Sequence, residues 1–316
     1  QKLAQPEEIL ALTFTDKAAT EMEDRVDKYT ELGSTYGMQI STFHSFCEEI
    51  LKDYGLDIKL PNDFKLLSET SQWVFVHKNL NKFALDYYRP IGSPNKFISS
   101  LLSHFSKCKD ELISPAEYLE YATNFVAEEG DEEALIEKNR LLEVAGAYQT
   151  YQQLLLDNEC LDFGDVIFYC VELFKTRPNI LKKYQERFKY IAVDEFQDTN
   201  RAQYELIKLL AGEKQNLVVV GDDDQSIYKF RGASVSNILK LGADYPKMKS
   251  VTLINNYRST QEILDSAYRF IQHNNPNRLE KIKKIKKRLI GHNEEAGEIQ
   301  VIEGKNLSEE LNLVVE

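Results

Sequence analysis

Three carboxylates lie at or near the end of one short apolar run, Tyr190 to Val193. Asp194 and Glu195 follow it directly, and Asp198 stands three residues later. Such a run is typical of a buried parallel strand, and ligands bind beyond the carboxyl ends of such strands. One carboxylate can hold Mg²⁺, and its neighbour can polarise a water molecule for attack on a phosphate. The pattern alone also fits a strand that is followed by an acidic turn.

A second apolar run, Asn216 to Val220, is followed by polar residues that include Gln225. If the two strands end at one sheet edge, Gln225 lies near the acids, and the three residues form a site. The run Asp222, Asp223 and Asp224 also allows a metal-dependent polymerase or nuclease, in which carboxylates hold two metal ions. That alternative gives no role to Gln225.

Aromatic and cationic side chains alternate just after this run, at Tyr228, Lys229, Phe230 and Arg231. This composition favours a surface on which bases stack and phosphates pair. The structural alternative is a loop with two core aromatic residues.

A second aromatic and cationic pair, Tyr257 and Arg258, stands at the start of a predicted helix over 261–271. The tyrosine could stack on a base, and the arginine could reach a phosphate.

Alternating strand and helix patterns would position these residues. The predicted strands cover 9–15, 38–44, 190–193, 216–220 and 251–254. The predicted helices outside the middle of the chain cover 17–29, 45–54, 166–174, 200–210 and 261–271. This alternation predicts a parallel α/β unit. From about Phe64 to Glu159 the pattern is helical without a convincing strand, which indicates a helical insertion.

The predicted fold class is therefore α/β, with a parallel sheet and a helical insertion. The first domain is expected to comprise two segments, 1–62 and 160–254. The helical insertion subdomain (63–159) separates them.

Composition limits the classes of protein that fit. The chain of 316 residues is 42% hydrophobic and 28% charged, as in a globular protein. We find neither an apolar run near the ~18 residues of a membrane span nor the apolar core of a signal peptide. The four cysteines lack zinc-site spacing, so we expect a reducing cytoplasm. The net charge of −12 argues mildly against nucleic acid as a partner, but it describes the whole chain and not a groove.

Five segments resemble, in order, motifs Ia, Ib, II, III and IV of the superfamily 1 helicases of the UvrD, Rep and PcrA kind. They are Thr13–Met22, Ser41–Phe46, Val193–Asn200, Gly221–Ala233 and Asn256–Thr260. The resemblance spans nearly the whole chain. It implies a RecA-like sheet with helices on both faces and, over 255–316, the start of a second RecA-like domain.

The resemblance also implies roles in ATP hydrolysis. Asp194 would hold the Mg²⁺ of Mg-ATP, and Glu195 would activate the attacking water. Gln225 would sense the γ-phosphate. Tyr257 would stack on adenine, and Arg258 would contact the γ-phosphate as an arginine finger.

For single-stranded DNA, the resemblance implies a path lined by Phe14, Thr42, His44, Tyr228 and Phe230. Arg231 would brace motif III against the acids of motif II. Asp162 and Asp165 match a family element before motif II to which we assign no role.

The sequence departs from the family pattern in the segments expected to bind DNA and ATP. Asp16 stands where the family usually has Asn, and Phe230 where many members have Trp. A Gly-x-x-x-x-Gly-Lys-Ser/Thr phosphate loop does not occur in the sequence, and neither do motifs V and VI. We therefore expect a piece of a longer helicase that is inactive by itself.

The expected function is part of an ATP-dependent 3′–5′ DNA helicase or translocase, with ATP and Mg²⁺ at its catalytic site. Its expected partners are single-stranded DNA, duplex junctions, and repair or replication proteins, with no membrane and a cytoplasmic location. The alternative is a catalytically incomplete, helicase-like module that binds DNA or protein.

Overall fold

The computed structural model describes residues 4–29, 37–126, 131–226, 235–293 and 299–315. Contacts divide the chain into two compact units, Gln1–Tyr245 and Pro246–Glu316. Within the described ranges, no helix combines the length and the apolar character needed to cross a membrane. The finer division of the first unit into two α/β segments and an insertion stays a prediction.

The first unit alternates strands and helices. Its strands are β1 (Ile9–Thr13), β2 (Gln39–Thr42), β3 (Lys65–Leu67), β4 (Cys160–Asp162), β5 (Tyr190–Val193) and β6 (Leu217–Val219). Its helices are α1 (Asp16–Tyr29), α2 (Phe43–Tyr54), α3 (Glu69–Asn79), α4 (Ile98–Asp110), α5 (Pro115–Asn124), α6 (Glu132–Asp157), α7 (Phe163–Thr176), α8 (Pro178–Arg187), α9 (Arg201–Ala211) and α10 (Val235–Asp244).

Four of these strands form one parallel sheet in the order β2-β1-β5-β6. Leu12 of β1 pairs with Val193 of β5, which in turn pairs with Val219 of β6. The carboxyl ends of these strands therefore meet at one edge. Parallel strands need crossover connections, and a helix follows each of the strands β1, β2 and β5. The predicted α/β fold with a parallel sheet is confirmed.

The main hydrophobic core contains residues of this sheet and of the helices α2, α7 and α9. Its members include Leu10, Phe46, Val166 and Leu206. Strand β6 lies at one edge of the sheet, where among the described residues it pairs with β5 only. Its apolar residue Val218 is 59% exposed, and Val220 just after it is 51% exposed.

The helices α3, α4, α5 and α6, here called the helical block, contribute to a second hydrophobic cluster. Stacked aromatic residues lie at its centre: the ring of Phe105 is 5.0 Å from that of Tyr148 and 5.4 Å from that of Tyr151. The chain enters and leaves the block through β3 and β4, which pair in parallel. The expectation of no strand between Phe64 and Glu159 was wrong, because a strand of three residues is too short to show an alternating pattern.

The second unit contains the strands β7 (Asn255–Asn256) and β8 (Ile290–Gly291) and the helices α11 (Gln261–Ile271), α12 (Leu279–Ile282) and α13 (Leu307–Val315). Helix α11 has the predicted limits. The predicted strand over 251–254 was wrong, since these residues have no regular structure and Val251 is exposed. Its β-branched residues predict a strand, but the parallel pairing with β8 begins only at Asn255.

Candidate functional site

The two predicted catalytic acids lie immediately beyond β5, at the carboxyl edge of the sheet. Asp194 N donates to Leu12 O over 2.9 Å, which extends the β1–β5 pairing by one residue. Glu195 then adopts a left-handed backbone conformation with φ of +49°. Residues other than glycine rarely do so, and such strain clusters at functional sites. Asp194 Oδ1 accepts a hydrogen bond from Glu195 N over 3.0 Å, which fixes the turn.

Gln197 joins this turn to the end of β6. Its Nε2 donates to Glu195 Oε2 over 2.6 Å, and its Oε1 accepts from Asp222 N over 2.9 Å. The residue is 1% exposed. A Cβ atom at Gly221 would lie 2.8 Å from Gln197 Oε1, so a side chain there would displace this amide. Sequence reasoning missed Gln197, because only the fold brings residues 197 and 222 together.

Of the three residues predicted to share a site, Glu195 and Gln225 line one cleft of about 500 Å³, and Asp194 is not among its lining residues. The residues that line it are Thr13, Phe14, Thr15, Ala18, Glu195, Gln197, Asp198 and Gln225. Gln225 Nε2 donates to Asp222 Oδ2 over 3.1 Å, and Asp222 Oδ1 accepts from Asp224 N over 3.1 Å. Asp222 therefore caps its own turn. The carboxylates of residues 222–224 come within 4.8 Å of one another, but this internal bonding does not favour a two-metal site.

Two buried polar atoms of the cleft show what it can hold. Thr13 Oγ1 and Asp198 Oδ1 have no hydrogen-bond partner among the described residues. Burial raises the pKa of Asp198, and the charge of Glu195 raises it further. Oxygen atoms in this arrangement suit an ordered water molecule or a hydrated Mg²⁺, which binds through few carboxylates and keeps several waters. The residues present therefore fit the implied magnesium.

Of the predicted DNA residues, Phe14 lines this cleft, and Thr42 and His44 lie at the start of α2. Thr42 is buried and caps α2, since its Oγ1 accepts from Ser45 N over 3.2 Å. Burial lowers the pKa of His44, which favours the neutral imidazole. Its ring meets that of Phe163 edge-on, with the centroids 5.6 Å apart.

Phe163 is a further aromatic residue that sequence reasoning missed as a site residue. It is the first residue of α7 and is 45% exposed, although its neighbours Asp162 and Asp165 are buried. The exposed ring of Phe163 and the half-buried imidazole of His44 together form an aromatic surface. The sequence does contain a signal for Phe163, because this residue lies between Asp162 and Asp165, which match a family element before motif II. Tyr228, Phe230 and Arg231 lie outside the described residues.

In the second unit, a local turn holds Tyr257 and Arg258. Asn256 Oδ1 accepts from Arg258 N over 3.0 Å and from Ser259 N over 2.9 Å. Tyr257 is 75% exposed as a residue, and its ring stacks on that of His292, with centroids 4.9 Å apart and an interplanar angle of 20°. Asn256 thus closes an Asx-type turn that presents both side chains.

Matches to known helicase domains cover nearly the whole chain. Residues 1–246 match the UvrD/REP helicase N-terminal domain, and residues 251–316 match the UvrD-like helicase C-terminal domain. The ATP-dependent DNA helicase PcrA of Leuconostoc citreum is 35% identical over 312 residues, which cover 98% of this chain and 38% of that protein.

Two further relatives are also PcrA helicases. The Bacillus subtilis (strain 168) protein is 41% identical over 279 residues, covering 88% of this chain and 35% of the relative. The protein of Staphylococcus aureus (strain Mu50 / ATCC 700699) is 39% identical over 274 residues, covering 87% and 35%. The chain thus spans little more than a third of the length of these relatives.

Proposed function

The chain belongs to the UvrD/REP helicase family, and from that premise we propose that it forms the ATP-hydrolysing part and part of the DNA path of a 3′–5′ DNA helicase. ATP hydrolysis would drive movement along single-stranded DNA. The observation that carries the proposal is the cleft shared by Glu195 and Gln225, with Gln197 bonded to both sides of it.

The residues in and beside the cleft have separate chemical tasks. Asp194, directly after β5, would hold Mg²⁺, which, when bound, would neutralise charge on phosphate oxygens. Glu195 orients and polarises the attacking water, as a general base must, at hydrogen-bond distance. Gln225, at the end of the neighbouring strand, senses the γ-phosphate. Gln197 keeps the Glu195 carboxylate in place through the 2.6 Å hydrogen bond.

In the second unit, Tyr257 stacks on adenine and Arg258 serves as the arginine finger. The exposure of Tyr257 supports this role, because one face of its ring rests on His292 and most of the residue remains accessible. A planar ring with few rotatable bonds loses little entropy when it stacks.

Single-stranded DNA runs over aromatic residues of the first unit. The path comprises Phe14, Thr42, His44, Tyr228 and Phe230, and we add Phe163 because its exposed ring meets His44. Thr42 contributes by capping the helix that carries His44. Arg231 braces motif III against the acids. Stacking on aromatic rings is tolerant of sequence, as a translocating enzyme requires.

The protein acts in the cytoplasm on single-stranded DNA and duplex junctions, with repair or replication proteins as partners. The polarity and the partners come from the family resemblance. One observation favours the alternative of a catalytically incomplete binding module: the 316 residues contain no Gly-x-x-x-x-Gly-Lys-Ser/Thr. For this reason we expect the 316 residues alone to be inactive.

The substitution Glu195→Gln in the full-length gene product tests the proposal. The amide keeps the shape of the side chain but cannot act as a base, so ATP turnover should fall by about 10²–10⁴-fold. ATP binding should persist, as measured by equilibrium titration with a fluorescent nucleotide. Glu186→Gln, at an exposed position of α8, is the matched control. Near-normal turnover of Glu195→Gln would exclude Glu195 as the base.

A further inference from the structure

Two consecutive residues at the end of α4 connect the helical block to the amino ends of two other helices. The first is Lys109, which is 1% exposed. Its Nζ lies 2.7 Å from Asp162 Oδ2 and 2.8 Å from Asp165 Oδ1. The two acids cap α7 reciprocally, since Asp165 N donates to Asp162 Oδ1 and Asp162 N to Asp165 Oδ2, each over 2.9 Å. The family resemblance left both of these acids without an assigned role.

Helix α6 of the helical block donates further hydrogen bonds to the two carboxylate oxygen atoms that contact Lys109. From α6, Tyr151 Oη donates to Asp162 Oδ2 over 3.0 Å, and Gln152 Nε2 donates to Asp165 Oδ1 over 2.9 Å. Burial opposes the charge of Lys109, but the two carboxylates outweigh it and raise the pKa of the lysine. A buried cluster of paired charges resists displacement, because breaking it leaves charges without partners. The block is thus anchored firmly on α7.

The second residue, Asp110, contacts the segment that carries the catalytic acids. Asn200 Nδ2 donates to Asp110 Oδ1 over 2.7 Å. Asn200 also caps α9, because its Oδ1 accepts from Gln203 N over 2.9 Å. Asn237, on the helix α10 after motif III, donates to Thr199 O over 2.8 Å. Residues 194–200, here called the acid segment, are therefore held at their far end by the helical block and by α10.

We propose that Asp110 is a positioning residue through which the helical block sets the position of the acid segment and so couples DNA binding to ATP hydrolysis at Glu195. The inference rests on the function proposed above. Phe163, which is placed on the DNA path above, is the first residue of α7, and the acids that cap α7 hold Lys109 at the end of α4. Asp110, the next residue, passes a displacement of that end of α4 to Asn200. Only one turn of 3₁₀ helix, Phe196–Asp198, and Thr199 separate Asn200 from Glu195, so a shift at one end moves the other.

The test uses the full-length gene product and compares ATP turnover with and without saturating single-stranded oligonucleotide. Asp110→Ala should keep turnover without DNA within about twofold, while the stimulation by DNA falls about fivefold or more, as is typical when two sites lose their coupling. Asp110→Asn should retain most of the stimulation, because its Oδ1 can still accept from Asn200 Nδ2. A purely structural role would lower both rates by the same factor.

Glu111→Ala is the matched control. Glu111 also faces α9, but its ion pair with Arg201, at 3.9 Å, is exposed. Exposed pairs contribute little, so the stimulation should be unchanged. If Asp110→Ala fails to fold, Asn200→Ser replaces it, since serine still caps α9 but lacks the amide that reaches Asp110.

Three outcomes would overturn the inference: stimulation that is unchanged in Asp110→Ala or its substitute, equal loss of both rates, or the same loss in Asp110→Asn as in Asp110→Ala. The double variant Asp110→Ala/Asn200→Ser should lose no more stimulation than either single one, and additive losses would also count against the inference. If instead the unsubstituted protein shows no DNA-stimulated turnover, the proposed function itself is wrong. The two failures are therefore distinguishable.

Discussion

Gln197 donates a 2.6 Å hydrogen bond to Glu195, and both residues line the same cleft. The other end of the same amide accepts from the backbone of Asp222, so one buried side chain aligns the turns after two neighbouring strands. The position of the Glu195 carboxylate, the proposed general base, therefore depends on Gln197.

Gln197→Leu should therefore lower ATP turnover at least about tenfold while ATP affinity changes little. Leucine has a similar volume but cannot bond to Glu195 or Asp222. The free energy of unfolding should fall by about 1–3 kcal/mol, because Asp222 N loses its partner. Steady-state turnover and urea unfolding measure the two effects. Gln153→Leu, at an exposed position of α6, is the control, and equal behaviour of the two variants would contradict the prediction.

Phe163→Ala in the full-length gene product should weaken binding of single-stranded DNA by about 1–3 kcal/mol, equally for every base sequence. The salt dependence of binding should not change, since no phosphate contact is lost. Titration of fluorescent oligonucleotides at several salt concentrations measures both. Phe163→Trp should preserve affinity, and Tyr121→Ala, at an exposed aromatic residue of α5, is the control. Unchanged affinity of Phe163→Ala would remove Phe163 from the DNA path.

Lys109→Met should destabilise the first unit by about 3–5 kcal/mol, because two buried carboxylates lose the cation that pairs with both of them. The control, Lys107→Met, alters an exposed position of the same helix and should cost less than about 0.5 kcal/mol. Denaturant unfolding compares the two variants. Equal free energies of unfolding for Lys109→Met and Lys107→Met would show that the cluster of Lys109, Asp162 and Asp165 contributes less to stability than its geometry indicates.

The stability of the protein should depend on pH through Asp110. Burial, followed by the charges of Glu111 and Asp162, raises the pKa of Asp110 from 3.8 to about 7. Between these values the folded chain holds a proton that the unfolded chain releases, so this contribution to stability declines as pH rises towards 7. Relative to Asp110→Asn, the unsubstituted chain should lose about 1–2 kcal/mol between pH 5 and 8, a value reduced for partial exposure. If the free energy of unfolding depends on pH in the same way in both proteins, the raised pKa of Asp110 is refuted.

The 316 residues produced alone should show no measurable ATP hydrolysis. They contain no Gly-x-x-x-x-Gly-Lys-Ser/Thr, the sequence whose backbone amides and lysine cradle the β- and γ-phosphates. Phosphate release with and without oligonucleotide tests this. A DNA-stimulated rate that disappears in Asp194→Ala would contradict the prediction and reveal a substitute phosphate site.

Local patterns were sufficient for much of the fold. The apolar run before Asp194 and the periodicity of α11 predicted those elements because each has a clear local signal. The strand β3 and the irregular residues 251–254 were not predictable, since strand pairing depends on a distant partner. The same reason applies at the site: acids after a strand are visible in sequence, but the Lys109–Asp162 contact spans 53 residues.

The edge of β6 that faces away from β5 favours self-association of the chain. Val218 and Val220 are exposed, and on that side the described residues offer the strand no pairing partner. An uncovered apolar strand edge is a template for other chains, so copies of this chain should self-associate along β6 as concentration rises. A lysine in place of Val218 would put a charge on that edge and keep the copies apart.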